Sequence, residues 1–427
     1  MRPVLGITAE YNPFHNGHLY HLEESKRRCG AERVAVVMSG DFTQRGEPAF
    51  ADKWLRAEAA VRCGADLVLE LPAFYACGSA EAFAEGAMGI LKGLGCISHV
   101  SFGSEKGDLD SLQRVAALLA EETPEFKAVL KEGLEGGESF PRARQKAVEH
   151  LLGEEAAALL GSPNNILGIE YLKAARRQGF APEFLTLQRK GAGYHDTDAA
   201  AEYASASALR SLLQSEEQGR SETETAFKAL DAAALLGDKL PLGTASVYKD
   251  APFFGKEAKK RQFGLVVYKI LSSTEEELEQ ILSAGEGLGN KLKKAVQRSH
   301  SLDELMAEMA SKRYPDSRIR RLLLQLLLGI DLRKAAQIRY ENRLFARVLA
   351  FSEEGAKLLK EIRKEKCASI PILTNINKEE EKLQGANTLL ALDILASDLY
   401  HLLLGQDRYQ WSDHRQKPFV LKSKKSD

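Results

Sequence analysis

The sequence predicts an α/β protein whose first half forms a mainly parallel sheet and whose second half forms a mainly α-helical, basic domain. Three observations predict this fold class. Short apolar runs alternate with amphipathic stretches as far as about residue 200, and from about residue 220 the pattern becomes nearly continuous helix. The charge also changes sign: residues 1–200 carry 22 Lys and Arg against 28 Asp and Glu, whereas residues 201–427 carry 37 against 32.

Five strands are predicted in the first half, at PVLGITAEY, RVAVVMSG, ADLVLELP, CISHVSFGS and PEFLTLQR. Helices are predicted between them at LYHLEESKRRC, DKWLRAEAAVRC, SAEAFAEGAMGILKGL and DLDSLQRVAALLAEE. Strands alternating with helices are typical of βαβ units, in which helices cover both faces of a parallel sheet. Ligands of such sheets bind beyond the carboxyl ends of the strands, so the site is expected there.

The second half is predicted to be helical, with one β-type interruption at SIPILTN. The polar stretch QSEEQGRSETE marks the change of pattern, so we expect domains at residues 1–220 and 221–427. No apolar run reaches the roughly 18 residues that a membrane span needs, and the N-terminus lacks the features of a signal peptide. We therefore expect a cytoplasmic protein that does not bind a membrane.

The segment EYNPFHNGHLYHL, residues 10–22, follows the first predicted strand and reads as a turn that leads into a helix. Unpaired N–H groups and a dipole equivalent to about +0.5 charge attract anions to the first turn of a helix. His15 and His18 add hydrogen-bond donors, and Gly17 lets the backbone approach a ligand closely because it has no Cβ. This pattern favours a triphosphate whose α-phosphorus is attacked.

Zinc binding is the alternative for three histidines in seven residues. The sequence has no HExxH pattern and no cysteine beside them, and His15 lies in the turn. His21, one turn into the helix, is expected to make a packing or polar contact. We therefore expect no metal site built from the protein's own side chains.

HNGH resembles the (H/T)xGH signature of the nucleotidyltransferases related to class I aminoacyl-tRNA synthetases, which bind ATP and transfer its AMP moiety. The longer strings GITAEYNPFHNGHLYHL and VMSGDFTQRGEPAFADKWLRAEAAVRCGADLVLELP are similar to one branch, the bacterial tRNA(Met) cytidine acetate ligases. The resemblance continues through SFGSE, SPNNILGIEYLKA, GAGYHD, SASALR, SKRYPDSRIRRLLLQLLLGI and PILTN, so it covers nearly the whole chain. It implies a Rossmann-like nucleotidyltransferase domain followed by a tRNA-binding helical domain.

The resemblance implies a two-step reaction. Acetate attacks the α-phosphate of ATP to give acetyladenylate and pyrophosphate. The acetyl group then passes to the exocyclic amine of the wobble cytidine in elongator tRNA(Met), which gives N4-acetylcytidine. ATP, acetate and this tRNA are therefore the expected substrates and Mg²⁺ an expected cofactor, whereas acetyl-CoA and DNA are not expected.

The resemblance also assigns site residues. The family's ATP-binding segment corresponds to Ile7, Thr8, Ala9, Glu10, Tyr11, Asn12, Pro13, Phe14, His15, Asn16, Gly17, His18, Leu19 and Tyr20, with the imidazoles of His15 and His18 facing phosphate. Further positions are Gly103 of FGSE, Asn164 of SPNN with Asn165 left open, and Arg189 with Lys190 before GAGYHD. SASALR resembles the Ser-x-Thr-x-x-Arg signature and assigns Ser207, where threonine is common, and Arg210. Ser205 or Ser207 also suits an ordinary helix N-cap.

Asp41, in the loop SGDFTQRGEP, follows the second strand at the edge of the sheet where ligands bind. With His15 and His18 it is a candidate catalytic residue, because it could order the substrate or Mg²⁺. A turn-forming aspartate after Ser-Gly is the alternative. Arg45 and Lys53 could meet pyrophosphate, although salt bridges would also explain them.

Basic residues concentrate between residues 249 and 347, where 20 Lys and Arg stand against 13 Asp and Glu. Arginine matches phosphate with two hydrogen bonds and tyrosine stacks on unpaired bases. Tyr314 and Tyr340 are interleaved with these cations, and a solvated basic helix pair is the alternative. The candidate RNA-binding residues are Lys259, Lys260, Arg261, Lys312, Arg313, Arg318, Arg320 and Arg321.

Two other functions remain open. One is a nucleotidyltransferase that makes a dinucleotide-type cofactor, which the large basic helical domain disfavours. The other is a non-catalytic RNA-binding protein with a retained nucleotide fold. The intact set of His15, Gly17, His18 and Arg210 disfavours the second.

Overall fold

The computed structural model describes residues 2–188, 205–218, 235–249, 251–285, 287–311, 314–383 and 387–422. These residues form a mixed α/β fold with a mainly parallel sheet, which confirms the predicted fold class. The strands of the described chain are β1 Val4–Ala9, β2 Arg33–Ser39, β3 Leu67–Leu71, β4 His99–Ser104, β5 Glu183–Gln188, β6 Ala346–Ser352, β7 Ile372–Leu373 and β8 Phe419–Leu421.

The strands lie in the order β5-β4-β1-β2-β3-β6-β7, and β8 pairs with β6. All neighbouring strands are parallel except β3 and β6. Residues 34–38 of β2 are fully buried, as expected for a strand covered by helices on both faces. The strand order reverses between β1 and β4, so a crevice is expected at the carboxyl ends of these two strands.

Helices cover both faces of the sheet. In the first half they are α1 Asn16–Cys29, α2 Lys53–Arg62, α3 Ala73–Ala76, α4 Ala80–Gly93, α5 Leu109–Glu121, α6 Pro124–Glu135, α7 Phe140–Leu152, α8 Glu154–Ala158, α9 Pro163–Gln178 and α10 Ala206–Gln218. Alternate residues of β2 belong to two different cores: Ala35 and Val37 pack with α4, α5 and α9, whereas Val34, Val36 and Met38 pack with α1 and α2. The period of two along the strand therefore builds both layers.

The second half is mainly helical. Its helices are α11 Leu242–Tyr248, α12 Lys256–Ser272, α13 Glu275–Glu279, α14 Leu288–Val296, α15 Leu302–Met309, α16 Asp316–Leu328, α17 Leu332–Glu341, α18 Glu353–Glu365, α19 Ile376–Glu379, α20 Thr388–Leu404 and α21 Arg408–Trp411. Helices α12, α14, α15 and α16 share a third core. Across the described ranges, no helix combines the length and apolar character that a membrane span requires.

Strands β6 to β8 belong to the second half of the sequence yet complete the sheet of the first half. The sequence indicated β structure only at SIPILTN, where β7 lies, and did not predict β6 or β8. β6 runs antiparallel to β3, with Leu67 opposite Phe351 and Glu70 opposite Arg347. The sheet thus takes strands from both sides of residue 220. The division at that residue stays a prediction, and residues 219–234 around it lie outside the described part of the chain.

Candidate active site

A cavity of about 290 Å³ opens at the carboxyl ends of β1, β4 and β5, and we call it the strand-end cavity. Many residues assigned from the sequence lie on its wall: Ile7, Thr8, Ala9, Glu10, Tyr11, Asn12, His15, Gly17, His18, Tyr20, Gly103, Asn164, Ser207 and Arg210. Pro13, Phe14, Asn16 and Leu19 belong to the same segment but do not line the cavity. Arg189 and Lys190 lie outside the described residues.

Two histidines cap the start of α1 reciprocally. Nδ1 of His15 accepts a hydrogen bond from the backbone N–H of Gly17 at 3.0 Å, and Nδ1 of His18 accepts one from the N–H of His15 at 3.4 Å. The two rings stack with centroids 3.8 Å apart. Because both Nδ1 atoms are acceptors, this network assigns the proton of each neutral ring to Nε2. Capping therefore explains the spacing of three residues, and both rings lie on the cavity wall.

Gly17 is required by the ring of His15. A Cβ atom at residue 17 would lie 2.9 Å from Cε1 and 3.1 Å from Nδ1 of His15. The sequence suggested that this glycine lets a ligand approach the backbone. In the structure, the group that makes the close approach is the capping imidazole.

Arg210 brings the SASALR segment to the end of β1. Its Nη1 donates to the carbonyl oxygen of Asn12 at 2.8 Å, and its Nη2 donates to Oγ of Ser207 at 3.4 Å. Oγ of Ser205 accepts the N–H of Ala208 at 3.1 Å, so Ser205 supplies the cap of α10. Burial lowers the pKa of Arg210, but an arginine stays charged at neutral pH. The cavity wall thus includes a held cation.

The two asparagines of SPNN have different positions. Asn164 lies on the cavity wall, and its Nδ2 donates to Oε1 of Glu105 at 2.7 Å. Asn165 is buried, and its Oδ1 accepts the backbone N–H of Glu105 at 3.0 Å. Of the two, Asn164 is the one that can contact a ligand in the cavity.

Asp41 is buried and does not line the strand-end cavity. Its Oδ1 accepts the backbone N–H of Lys53 at 2.8 Å, and its Oδ2 lies 3.8 Å from Nζ of Lys53. Its backbone carbonyl accepts the N–H of Ala49 at 2.8 Å. These contacts close the loop between β2 and α2. A catalytic role for Asp41 stays a prediction, and its observed contacts are those of a loop-forming aspartate.

Lys53 is fully buried in a group of charges that joins distant parts of the chain. Its Nζ lies 2.7 Å from Asp413 and 2.8 Å from Glu70, and Arg347 contacts both of these carboxylates. Burial lowers the pKa of Lys53, but Asp413 and Glu70 raise it above its ordinary value, so the lysine is charged. Lys53 does not line the cavity. The salt-bridge alternative from the sequence therefore describes its position, except that the bridge is buried.

Arg56 holds the strand ends on which the cavity is built, and no motif in the sequence pointed to it. Its side chain is fully buried. The guanidinium donates to the backbone carbonyls of Glu10, Ser39, Gly40 and Ala51. These carbonyls belong to three separate segments, so only the tertiary structure shows that one arginine joins them.

The loop between β2 and α2 forms another wall of the cavity through Thr43, Gln44, Arg45 and Glu47. Its tip packs against α16: Gly46 has φ +77°, and a Cβ there would lie 2.5 Å from the backbone nitrogen of Arg321. Glu47 forms an ion pair with Arg320 of α16. Sequence reasoning singled out this loop but missed Gln44 and Glu47, because their partners lie more than 30 residues away in the sequence: Glu10 and Gly78 for Gln44, and Arg320 for Glu47.

His21 faces the cavity from the second turn of α1, and its Nε2 lies 3.2 Å from Oγ of Ser101. This is the polar contact that the sequence suggested. Burial lowers the pKa of His21 to about 4. The ring is therefore neutral at physiological pH.

The candidate RNA-binding cations differ in their surroundings. Arg318 donates to the carbonyls of Ser283 and Ala284, Arg261 donates to the carbonyl of Leu403, and Lys260 pairs with Glu257. Lys259 lies 3.9 Å from Asp303.

The remaining candidates lie on or near α16. Burial lowers the pKa of both Arg320 and Arg321. Lys312 and Arg313 lie outside the described residues. Of the two interleaved tyrosines, Tyr314 is buried beneath Arg318 and Tyr340 is exposed.

Among the described residues, no group of three His, Cys, Asp or Glu side chains could hold a metal ion. A Mg²⁺ that arrives with a nucleotide needs only one or two carboxylates in addition to phosphate oxygens. Glu10 and Glu47 are carboxylates on the wall of the strand-end cavity. These two residues suit a nucleotide-borne Mg²⁺.

The cavity combines two kinds of wall. The start of α1, its two imidazoles and the cations Arg45 and Arg210 form an anion-binding side. Phe102 and Tyr171, with ring centroids 5.9 Å apart, contribute to an apolar side. Such a cavity fits a ligand that has phosphates at one end and a flat ring at the other.

The fold and this cavity define a nucleotidyltransferase of the class in which a His-x-Gly-His segment begins the first helix. Consistent with that class, the HIGH Nucleotidyl Transferase family matches residues 2–416. A protein of Caldanaerobacter subterraneus subsp. tengcongensis named tRNA(Met) cytidine acetate ligase is 40% identical over 93% of this chain and 95% of its own length. A protein of the same name from Alkaliphilus metalliredigens is 37% identical over 98% of this chain and 99% of its own length.

Crystal structures of similar proteins agree. Thermotoga maritima TmcAL bound with alpha-thio ATP has a TM-score of 0.87 and 31% identity, over 99% of this chain and 100% of that chain. Its apo form has a TM-score of 0.88. The chain therefore belongs to the family of tRNA(Met) cytidine acetate ligases within the HIGH nucleotidyl transferases, and it is a ligase.

Proposed function

We propose that this protein activates acetate with ATP and transfers the acetyl group to the wobble cytidine of elongator tRNA(Met). The observation that carries the proposal is the strand-end cavity, in which the helix start of HNGH and Arg210 form an anion-binding wall. The names of its relatives and the alpha-thio ATP bound to the Thermotoga maritima neighbour support ATP and tRNA(Met) as substrates. The cytoplasm is the proposed location.

In the first step, an oxygen of acetate bonds to the α-phosphorus of ATP, and the bond to the pyrophosphate oxygen breaks. Pyrophosphate leaves with the bonding electrons, and acetyladenylate remains. Negative charge on the phosphate oxygens is stabilised by the helix dipole at the start of α1 and by Nε2–H of His15 and His18. Each such donor contributes about 3 kcal/mol by analogy with oxyanion-hole donors.

Mg²⁺ would be held by the nucleotide phosphates with Glu10 or Glu47, and it would neutralise phosphate charge. Glu10 is already oriented by the loop, since its Oε1 accepts the backbone N–H of Gln44 at 2.8 Å. Acetyl-CoA has no role in this proposal, because ATP supplies the energy for activation.

In the second step, the N4 amine of cytidine bonds to the carbonyl carbon of acetyladenylate. The bond between that carbon and the phosphate oxygen breaks, AMP leaves with the bonding electrons, and the nitrogen loses one proton to the solvent. The tRNA is proposed to lie along α12 and α16, where the candidate RNA-binding cations lie. Binding through phosphate contacts weakens as salt rises.

The test is to incubate the purified protein with ATP, Mg²⁺ and labelled acetate, with and without bulk bacterial tRNA, and to analyse the nucleosides by mass. We expect labelled N4-acetylcytidine only when both ATP and tRNA are present. Label transfer from acetyl-CoA without ATP would contradict the proposed activation step. Absence of label in tRNA, together with AMP transfer onto nicotinamide mononucleotide, would instead favour the cofactor-forming alternative.

A further inference from the structure

A second cavity of about 410 Å³ adjoins the strand-end cavity, and we call it the acceptor cavity. It is bounded by Phe50, Phe253, Phe254, Lys259, Gln262 and Arg320. Both cavities include Arg45, Glu47, Ser207 and Arg210, so these residues form a shared border. A ligand in one cavity can therefore face a ligand in the other across this border.

The wall of the acceptor cavity suits a flat ring. Phe50 and Phe253 are nearly parallel, at 16°, with centroids 6.2 Å apart. Phe50 is buried and is supported by Tyr248, whose ring lies edge-on to it at 5.4 Å. Nucleobases stack on such aromatic surfaces whatever their sequence.

Gln262 supplies a polar group for such a ring. The residue is only 5% exposed and lines the cavity from α12. A side-chain amide that lines a cavity can form hydrogen bonds to a ligand that enters it. The amide can donate to O2 or N3 of a pyrimidine and can also accept a hydrogen bond.

Two cations complete the chemistry of the cavity. Lys259 and Arg320 line it from α12 and α16, and both are candidate RNA-binding residues from the sequence. The acidic partners are Asp303, 3.9 Å from Lys259 and mostly exposed, and Glu47, which pairs with Arg320. An aromatic wall, a buried amide and cations at the rim are the combination that a single nucleotide of an RNA chain requires.

We propose that the acceptor cavity binds the target cytidine of the tRNA, with its base between the Phe50 wall and Gln262 and its phosphates near Lys259 and Arg320. The inference rests on the proposed function, because the cytidine amine would then face acetyladenylate across the shared border. Gln262 and Lys259 are thus positioning residues for the second step alone. They have no part in the binding of ATP.

The experiment measures the two half-reactions separately in full-length variants. Acetate-dependent exchange of pyrophosphate into ATP reports the first step, and acetyl transfer to bulk bacterial tRNA reports the second. Gln262→Leu keeps the side-chain volume and removes the amide, so transfer is expected to fall about 10- to 100-fold while exchange stays within about twofold of wild type. Lys259→Ala is expected to lower transfer about 3- to 10-fold. Lys269→Ala on the same helix and Gln297→Leu, both exposed, are the matched controls.

Competition by cytidine 5′-monophosphate provides a second readout. It is expected to compete with tRNA and not with ATP, and Gln262→Leu is expected to weaken that competition. Wild-type transfer in either variant, or an equal loss of exchange and transfer, would overturn the acceptor cavity while leaving the proposed function intact. If the wild-type protein itself forms no acetyladenylate or transfers no acetyl group, then the proposed function fails and the acceptor cavity with it.

Discussion

The helix-start segment and the basic helices α12 and α16 differ in how far away in the sequence the partners of their polar side chains lie. In the helix-start segment, residues 11–21, the first two histidines have local partners, since His15 and His18 bond to backbone groups within three residues. Several cations of α12 and α16 contact segments far away in sequence, as Arg320 does with Glu47 and Arg261 with Leu403. The comparison teaches that a short motif can be interpreted from sequence when its partners are local. A distributed charge pattern cannot.

Lys53→Met is expected to have the largest effect on stability, because the side chain of Lys53 is held by partners from other segments of the chain. Lys53→Met would leave Glu70 and Asp413 buried, with Arg347 as the cation that still contacts both carboxylates. We expect the free energy of unfolding to fall by about 3–5 kcal/mol, measured by chemical denaturation. Lys357→Met, which removes an exposed partner of Glu354, should cost less than about 0.5 kcal/mol. Equal effects of the two variants would contradict the buried-charge interpretation.

His18→Ala tests the helix-start segment directly. It removes one proposed donor and half of the reciprocal cap, so we expect acetate-dependent pyrophosphate exchange to fall about 100- to 1,000-fold. Affinity for tRNA should stay nearly unchanged, because α12 and α16 are intact. His150→Ala, an exposed histidine on α7, is the control. Normal exchange by His18→Ala would refute the role proposed for this imidazole.

Gly17→Ala tests whether the cap positions the ring of His15. The added methyl group would lie 2.9 Å from Cε1 of that ring, so the imidazole must move. We expect exchange to fall about 10- to 100-fold, while thermal stability changes little because alanine favours helix. Gly264→Ala in α12 adds the same methyl group into open space and should leave exchange unchanged. Equal activity of the two variants would show that the position of His15 is unimportant.

His21 tests the segment through pH. Its pKa is lowered from 6.5 to about 4 by burial, so between these values the unfolded chain binds a proton that the folded protein does not. The free energy of unfolding should therefore fall as pH decreases from 6.5 to 4 and show no such dependence above 6.5. Because the side chain of His21 is partly exposed, solvent screening reduces the effect, and we expect about 1–2 kcal/mol from this residue. Denaturation at pH 7.0 and pH 4.5 should show a smaller difference for His21→Asn, whereas His150→Asn should match wild type.

Lys260→Glu should have the smallest effect and tests the basic helices. Lys260 is 57% exposed, so its reversal should not disturb the fold. We expect tRNA binding to weaken about 2- to 5-fold and the slope of log affinity against log salt to decrease by about one, with pyrophosphate exchange unchanged. Lys131→Glu on α6 is a matched exposed control. An unchanged salt slope would exclude Lys260 from the RNA contact.

Two arginines of α16 contact the loop that lines the strand-end cavity. Arg320 pairs with Glu47, and the backbone of Arg321 packs against Gly46 in a loop that lines the strand-end cavity. Reversal of these two charges would disturb both half-reactions, because the loop belongs to the first step. Lys259 and Lys260 separate RNA binding from adenylation more cleanly.

The sequence by itself determined the parallel sheet, its helices and the segment that builds the cavity wall, because these depend on short-range periodicity and on contacts within a few residues. It left Asn164 and Asn165 unresolved, and it gave no indication of Arg56, Glu47 or Gln262 as parts of the site. Only the tertiary structure shows where these side chains lie and what they contact. The carbonyls around Arg56, the partners of Lys53 and the walls of the acceptor cavity come from segments up to several hundred residues apart. Sequence spacing carries no record of which distant groups a buried charge or amide will meet, since packing alone fixes those distances.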